Sequence, residues 1–207
     1  MAHRRTEMHQ LLAPADYRRM PWKNGGGHTL EIASDPPGAG VSAFAWRVSV
    51  ADIERDGPFS AFPGVDRTLV LLAGHGMWLS GAGAPLELHT AYEPVDFAGE
   101  AAMHCALIDG PTRDFNLMVR RGAASGDVVV VRDAACAIEP ARAYVCFAAA
   151  GACECLIGGF PPFVVAPEHT LVIRGQPDAT IPGVHVYPTS GTSVALVAVI
   201  RAPRALQ

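Results

Sequence analysis

Short runs of alternating apolar and polar residues, punctuated by glycine and proline, fill this chain from end to end. Phe44-Ala-Trp-Arg-Val-Ser-Val50 sets Phe44, Trp46, Val48 and Val50 against Arg47 and Ser49. Thr29-Leu-Glu-Ile-Ala33 sets Leu30 and Ile32 against Thr29 and Glu31, and Asp114-Phe-Asn-Leu-Met-Val119 sets Phe115, Leu117 and Val119 against Asp114, Asn116 and Met118. A period of two is what a strand with two unlike faces requires. The same pattern predicts strands at Thr29–Ala33, Ala43–Val50, Thr68–Ala73, Gly76–Leu79, Leu86–His89, Val95–Phe97, Met103–Ile108, Asp114–Val119, Val128–Val131, Tyr144–Phe147, Cys153–Ile157, Phe163–Val165, Thr170–Ile173 and Val194–Arg201. Only Ala13–Arg19 and Val50–Arg55 could hold a helical turn or two. Many short strands with regular turns predict an all-β protein, a sandwich or a barrel, and the length leaves room for two stacked barrels. The stretch from Val119 to Gly126 separates a motif-rich first half from an alanine-heavy second, which gives approximate halves of 18–120 and 121–207.

Composition narrows the classes of function. Apolar residues make up 50% of the 207 positions and charged ones only 17%, so much apolar material must pack inside the fold or against a second subunit. A net charge of −4 offers no electrostatic footprint for nucleic acid or an anionic membrane, and a small anion met by a few local cations is the charged partner that fits. The first twelve residues contain no apolar core of signal-peptide length, and the densest apolar run, Val194 to Ile200, is too short to span a bilayer. A cytoplasmic location is therefore expected. Five cysteines without a Cys-x-x-Cys pair point to reduced thiols, and Cys153 and Cys155 would share one strand face with no histidine beside them to complete a zinc site. None of the eight histidines forms a His-x-His pair, so no metal is expected, although scattered His89, His104 and His185 could in principle converge.

Two loops carry candidate chemistry. In Trp22-Lys-Asn-Gly-Gly-Gly-His28, the glycines Gly25, Gly26 and Gly27 can turn successive N–H groups toward one point, with Lys23 and Asn24 beside them. The competing reading is a glycine-rich turn that only turns. In Asp56-Gly-Pro-Phe-Ser-Ala-Phe-Pro-Gly-Val-Asp-Arg67, two aromatics, two prolines and two glycines predict a rigid loop. Phe59 and Phe62 could wall a pocket with Ser60 as a polar contact, or simply staple the loop to the core. Asp66 and Arg67 are candidates for a local ion pair. The polar faces of the three strands admit two outcomes: they look at solvent, or they converge and line a pocket with Lys23, Arg47 and Arg67 supplying positive charge. A carboxylate suits the second outcome, because arginine grips it in bidentate fashion. No nucleophile motif is visible, and Glu31 with Asp114 could act as an acid/base couple only if a substrate lay between them.

Trp22-Lys-Asn-Gly-Gly-Gly-His-Thr-Leu-Glu-Ile32, Phe44-Ala-Trp-Arg-Val-Ser-Val-Ala51, Asp56 to Arg67 and Asp114-Phe-Asn-Leu-Met118, in that order, resemble the HutD/Ves family of cupin-like bacterial proteins. The resemblance covers roughly residues 20 to 120. It implies a bicupin, two β-barrel or jelly-roll-like halves in one chain, usually found as a homodimer. It also implies a link to histidine utilisation through binding of a small carboxylate such as urocanate or N-formylglutamate, with no metal or other cofactor, rather than catalysis. The matching blocks place the expected ligand-binding set on Lys23, Asn24, Gly25, Gly26, Gly27, Arg47, Ser49, Ser60, Arg67, Asp114 and Asn116, to which the strand faces and the second loop add Thr29, Glu31, Phe62 and Met118. The alternative is a cupin-type enzyme acting on a related carboxylate.

Overall fold

The computed structural model describes residues 9–22, 24–81, 83–176 and 179–203. Their regular structure is almost entirely strand, and every strand predicted from the alternating pattern is present, three of them (Cys153–Ile157, Phe163–Val165 and Val194–Arg201) with the same ends. A single 3-10 turn, Pro14–Asp16, lies within the first stretch expected to be helical. The second, Val50–Arg55, continues the Trp46–Ile53 strand instead. Cross-strand packing on both faces outweighs local preference there, because Val50 and Ile53 are both fully covered.

The chain divides into two compact units, one of Asp16–Val128 and one joining the residues before Asp16 to Val129–Ala202. The first holds a six-stranded antiparallel sheet in the order Arg18–Pro21, Gly27–Asp35, Trp46–Ile53, Thr112–Arg120, Val65–Ala73, Pro94–Ala98. Its second sheet runs Gly57–Pro58, His104–Leu107, Met77–Ser80, Leu86–Leu88. Ala51, Ile53, Leu69 and Leu71 from the large sheet pack against Met77, Leu79, Leu88 and Cys105 from the small one. Each of these large side chains contributes about 1.5–3 kcal/mol on leaving water, so the contact between sheets is the dominant cohesive force of the unit.

The other unit repeats the plan with a five-stranded sheet (His9–Leu12, Thr170–Arg174, Ala143–Ala150, Val194–Arg201, Ser125–Val131) and a four-stranded one (Cys136–Ile138, Val184–Pro188, Cys153–Ile157, Phe163–Val165). Tyr144, Cys146, Leu171, Ile173 and Val197 meet Cys153, Cys155, Val184 and Val186 in its core. The Tyr144 hydroxyl donates to the carbonyls of Glu139 (2.7 Å) and Pro182 (3.3 Å), which lets a phenol sit fully buried.

The expectation of two barrel or jelly-roll-like bicupin halves is corrected by this topology. The protein is all-β, but none of its four sheets closes on itself or curls strongly; each is open, with two edge strands. Prolines at the strand edges give a physical reason. Pro21, Pro58 and Pro94 all lie on edge strands of the first unit and have no N–H to extend a ladder, so the apolar faces are buried by stacking two sheets rather than by closing one. The Gly74-His75-Gly76 turn carries the chain from the large sheet to the small one. Gly74 and Gly76 have positive φ, and a Cβ on Gly76 would fall 1.9 Å from the Leu88 carbonyl oxygen. Among the described residues no helix is long and apolar enough to cross a membrane.

Candidate functional site

Register in the six-stranded sheet decides which side chains meet, because residues directly opposite on neighbouring strands share a face. Glu31 lies opposite Ser49, Ser49 opposite Asn116, and Asn116 opposite Leu69. In the adjacent row Arg47 lies opposite Met118, Met118 opposite Arg67, and Arg67 opposite Phe97. Thr29, Ala51, Asp114 and Leu71 form a third row. The polar faces of the three predicted strands therefore form one continuous surface. That surface is the inner one: Ala51, Leu69 and Leu71 belong to the core between the two sheets. Glu31, Arg47, Ser49, Arg67, Asp114 and Asn116 are all 6% exposed or less, so the reading in which they look at solvent does not hold.

Such a face is costly unless its groups are paired. One pair is complete. Arg47 Nε donates to Glu31 Oε2 at 2.6 Å, Arg47 Nη2 reaches Met20 Sδ at 3.7 Å, and Arg18 approaches the other Glu31 oxygen at 3.8 Å from the sheet edge. The rest is incomplete. Asp114 Oδ1, Asn116 Oδ1 and Arg67 Nε are buried with no hydrogen-bond partner among the described residues. Arg67 is enclosed by aromatic rings, with its guanidinium carbon 5.3 Å from the Phe59 centroid, 5.6 Å from Phe62 and 5.0 Å from Phe97. Trp22 packs edge-on to Phe59 at 6.3 Å and anchors its indole N–H on Thr29 Oγ1 at 2.8 Å. Ring faces stabilise a cation by about 2 kcal/mol when it is desolvated, yet they satisfy none of its N–H donors.

Burial pushes the Asp114 carboxyl up to about 7, the nearby Arg67 charge opposing the rise and Asp52 adding to it. Burial lowers Arg67 to about 10, with Asp114 holding it up and Arg47 pressing it down. Arg67 thus stays protonated at neutral pH while its carboxyl neighbour is close to half neutral. With Glu31 already neutralised by Arg47, the cluster has positive charge to spare.

The two loops behave differently from each other. Phe59 N–H donates to Met103 O, Phe62 N–H to Gly99 O and Gly99 N–H to Val65 O, so the Asp56 to Arg67 segment is pinned by backbone bonds and holds both rings at Arg67. Phe59 and Phe62 act as wall and staple at once. Ser60, on the same loop, is exposed. In the glycine segment, Gly25 N–H donates to Trp22 O (3.1 Å) and Gly26 N–H to Asn24 Oδ1 (3.0 Å), so both are engaged within the turn. Gly27 is required by close approach, since a Cβ there would lie 2.2 Å from Asp52 O. Lys23 lies outside the described residues, and Asn24 and Gly25 are exposed.

The structure therefore brings together Thr29, Glu31, Arg47, Ser49, Phe62, Arg67, Asp114, Asn116 and Met118. Asp66 and Arg67, neighbours in sequence, do not pair: they project to opposite faces, and Asp66 bonds Arg121 instead. Among the described residues no three His, Cys, Asp or Glu side chains converge as a metal site.

A family model described as HutD matches residues 14–183. The chain belongs to the HutD family. An uncharacterised 21.2 kDa protein of the hutC 3′ region in Pseudomonas putida is 48% identical over 109 residues, 53% of this chain and 57% of that protein. The Ves protein of Citrobacter koseri is 40% identical over 110 residues, 51% of this chain and 56% of that protein. The chain thus spans a little over half the length of these relatives in the aligned region. Similarity to solved structures runs further. A conserved protein of unknown function from Pseudomonas aeruginosa PAO1 superposes with a TM-score of 0.81 at 31% identity, over 94% of this chain and 99% of that one. HutD from Pseudomonas fluorescens SBW25 superposes with a TM-score of 0.76 at 30% identity, over 95% of this chain and 100% of that one.

Phe97, Phe59, Trp22 and Met20 join the HutD-family cluster without standing among the expected site residues. Trp22 and Phe59 belong to segments already singled out by their composition. Phe97 comes opposite Arg67 only through strand pairing, and Met20 reaches Arg47 only from the sheet edge. No local pattern marks either.

Proposed function

We propose that this protein is a binding protein for a small carboxylate metabolite, urocanate or N-formylglutamate, that tunes histidine utilisation, and that Arg67 anchors the carboxylate. One observation carries the reading: the buried Arg67 guanidinium is ringed by Phe59, Phe62 and Phe97, and its Nε finds no acceptor among the described residues. Such a group costs several kcal/mol to bury alone, and a bidentate carboxylate is the partner whose geometry and charge it fits. Arg47 is less suited to the role, since Glu31 already occupies it. Membership of the HutD family and the position of the Pseudomonas putida relative in a hutC 3′ region support the association with histidine utilisation. The Pseudomonas fluorescens HutD structure is one of a formate condition, and formate is the smallest carboxylate.

Calorimetric titration with urocanate, N-formylglutamate and glutamate tests the reading. Arg67→Ala should weaken the binding of the preferred ligand by about 2–5 kcal/mol, the range for removing one member of a desolvated charge pair. Unchanged affinity would reject Arg67 as the anchor.

A second reading, acid/base chemistry on a related carboxylate, is favoured by the Asp114 carboxyl standing near neutrality in its buried position. Overnight incubation of the same compounds with the protein, followed by product analysis, separates the two. Turnover that disappears in Asp114→Asn would favour the enzyme; intact compounds would leave the binding protein.

A further inference from the structure

The carboxylate reading accounts for one of the three unpartnered buried groups and leaves two. Asp114 and Asn116 are two positions apart on the Thr112–Arg120 strand and so project to the same face. Opposite them on the Val65–Ala73 strand stand Leu71 and Leu69, which offer no hydrogen bond, and on the Trp46–Ile53 strand stand Ala51 and Ser49. Asp114 Oδ1 and Asn116 Oδ1 are both buried acceptors without a donor among the described residues. Arg67 lies on the same face, one strand over and next to Met118, and is the main opposite charge felt by Asp114. The cluster thus has a donor pole at Arg67 and an acceptor pole at Asp114 and Asn116, separated along the strands rather than across them.

The two poles ask for different things. Arg67 has only donors to offer. Asp114 accepts through at least one oxygen whether or not it carries a proton, and Asn116 can present its carbonyl beside it. A plain carboxylate placed against ionised Asp114 would meet an acceptor with an acceptor and leave both unsatisfied.

We propose that Asp114 and Asn116 form a second recognition pole that selects ligands bearing an N–H donor, such as an imidazole or amide N–H, at the end opposite the carboxylate held by Arg67. This rests on the carboxylate-binding reading above and assigns to Asp114 and Asn116 the recognition of the N–H that urocanate and N-formylglutamate both carry. Selection of this kind is strong because an analogue without the donor strands buried acceptors instead of merely forgoing a contact.

The test compares urocanate with furylacrylate, which keeps a five-membered aromatic ring, the acrylate side chain and the carboxylate but, with furan in place of imidazole, has no N–H. Both are titrated calorimetrically into the wild-type protein and into Asp114→Leu, Asp114→Asn and Arg67→Ala, with thermal unfolding run on each variant. Wild type is expected to prefer urocanate by about 10- to 100-fold. Asp114→Leu should bring the two within about threefold by weakening urocanate alone, and Asp114→Asn, which keeps the shape and one acceptor, should give an intermediate ratio. If Asp114→Leu does not fold, the ratio in Asp114→Asn decides. Equal affinity in wild type, with both compounds lost in Arg67→Ala, would overturn the acceptor pole and leave the carboxylate reading standing. A urocanate preference undiminished in the Asp114 variants would overturn the assignment to Asp114. Failure of wild type to bind either compound, and N-formylglutamate as well, would remove both readings together.

Discussion

Asp114→Asn should make the protein more stable, and only above mildly acidic pH. In the folded chain burial lifts the Asp114 carboxyl from an ordinary 3.8 to about 7. Between those values the unfolded chain gives up its proton while the folded one keeps it, so ionisation favours unfolding. The sign follows directly: the folded state loses stability as pH rises from about 4, and the loss is complete once pH passes about 7. Roughly three pH units at about 1.4 kcal/mol each give a penalty of about 4 kcal/mol at pH 8 and nearly none at pH 4. Asparagine has the same shape and no charge to desolvate, so it removes the penalty. The three tryptophans, Trp22, Trp46 and Trp78, all lie in the Asp16–Val128 unit, so their fluorescence during urea unfolding reports the unit that holds Asp114. The variant should unfold at a midpoint higher than wild type by more than about 1 M urea at pH 8, and the two curves should converge near pH 4. Taking the difference between the proteins cancels every other titrating group. Midpoints that stay parallel from pH 4 to 8 would refute the claim that a carboxyl is buried there without adequate compensation.

Other consequences can be checked with the same purified protein. Arg47→Ala leaves Glu31 buried opposite an empty position and should destabilise by about 3–5 kcal/mol in urea unfolding, most of which Glu31→Gln in the same chain should restore. Gly27→Ala drives a methyl group into the Asp52 carbonyl and should unfold the Asp16–Val128 unit or cost several kcal/mol, whereas Gly25→Ala, with open space around it and only a positive φ to resist, should cost about 1 kcal/mol. Both are read by thermal melting. A thiol reagent should label Cys136 alone in the native protein and all five cysteines in denaturant. Cys105, Cys146, Cys153 and Cys155 are buried, and burial pushes the Cys105 thiol up to about 12, while desolvation and thiol–thiol contacts raise Cys153 and Cys155 further.

Much of the fold was legible in the order of residues because strands announce themselves locally. A period of two over five to seven residues assigns a face to each side chain, and Leu30, Val48 and Phe115 were separated from Glu31, Ser49 and Asn116 on that ground alone. Short strands with weak alternation, such as Gly57–Pro58 and Cys136–Ile138, leave no such mark and were missed. Alternation also says nothing about how a sheet ends. Whether sheets close or stack depends on which edges can still donate hydrogen bonds and on where the apolar faces find partners, and the open sandwiches seen here emerge only once all strands are placed.

The candidate site divides along the same line. Residue type and spacing identified Arg47, Glu31, Asp114 and Asn116 as polar groups on strand faces, and Arg67 as a cation at the end of a rigid loop. Their pairing was decided by register, which joins positions far apart in sequence, 67 apart for Asn116 opposite Ser49 and 71 apart for Met118 opposite Arg47. That register gives Arg47 to Glu31, leaves Arg67 to three phenylalanines, and turns the whole polar face inward, where an unpaired charge is costly. A single strand can show that a side chain is polar; only its neighbours across the sheet fix whether that polarity is already satisfied.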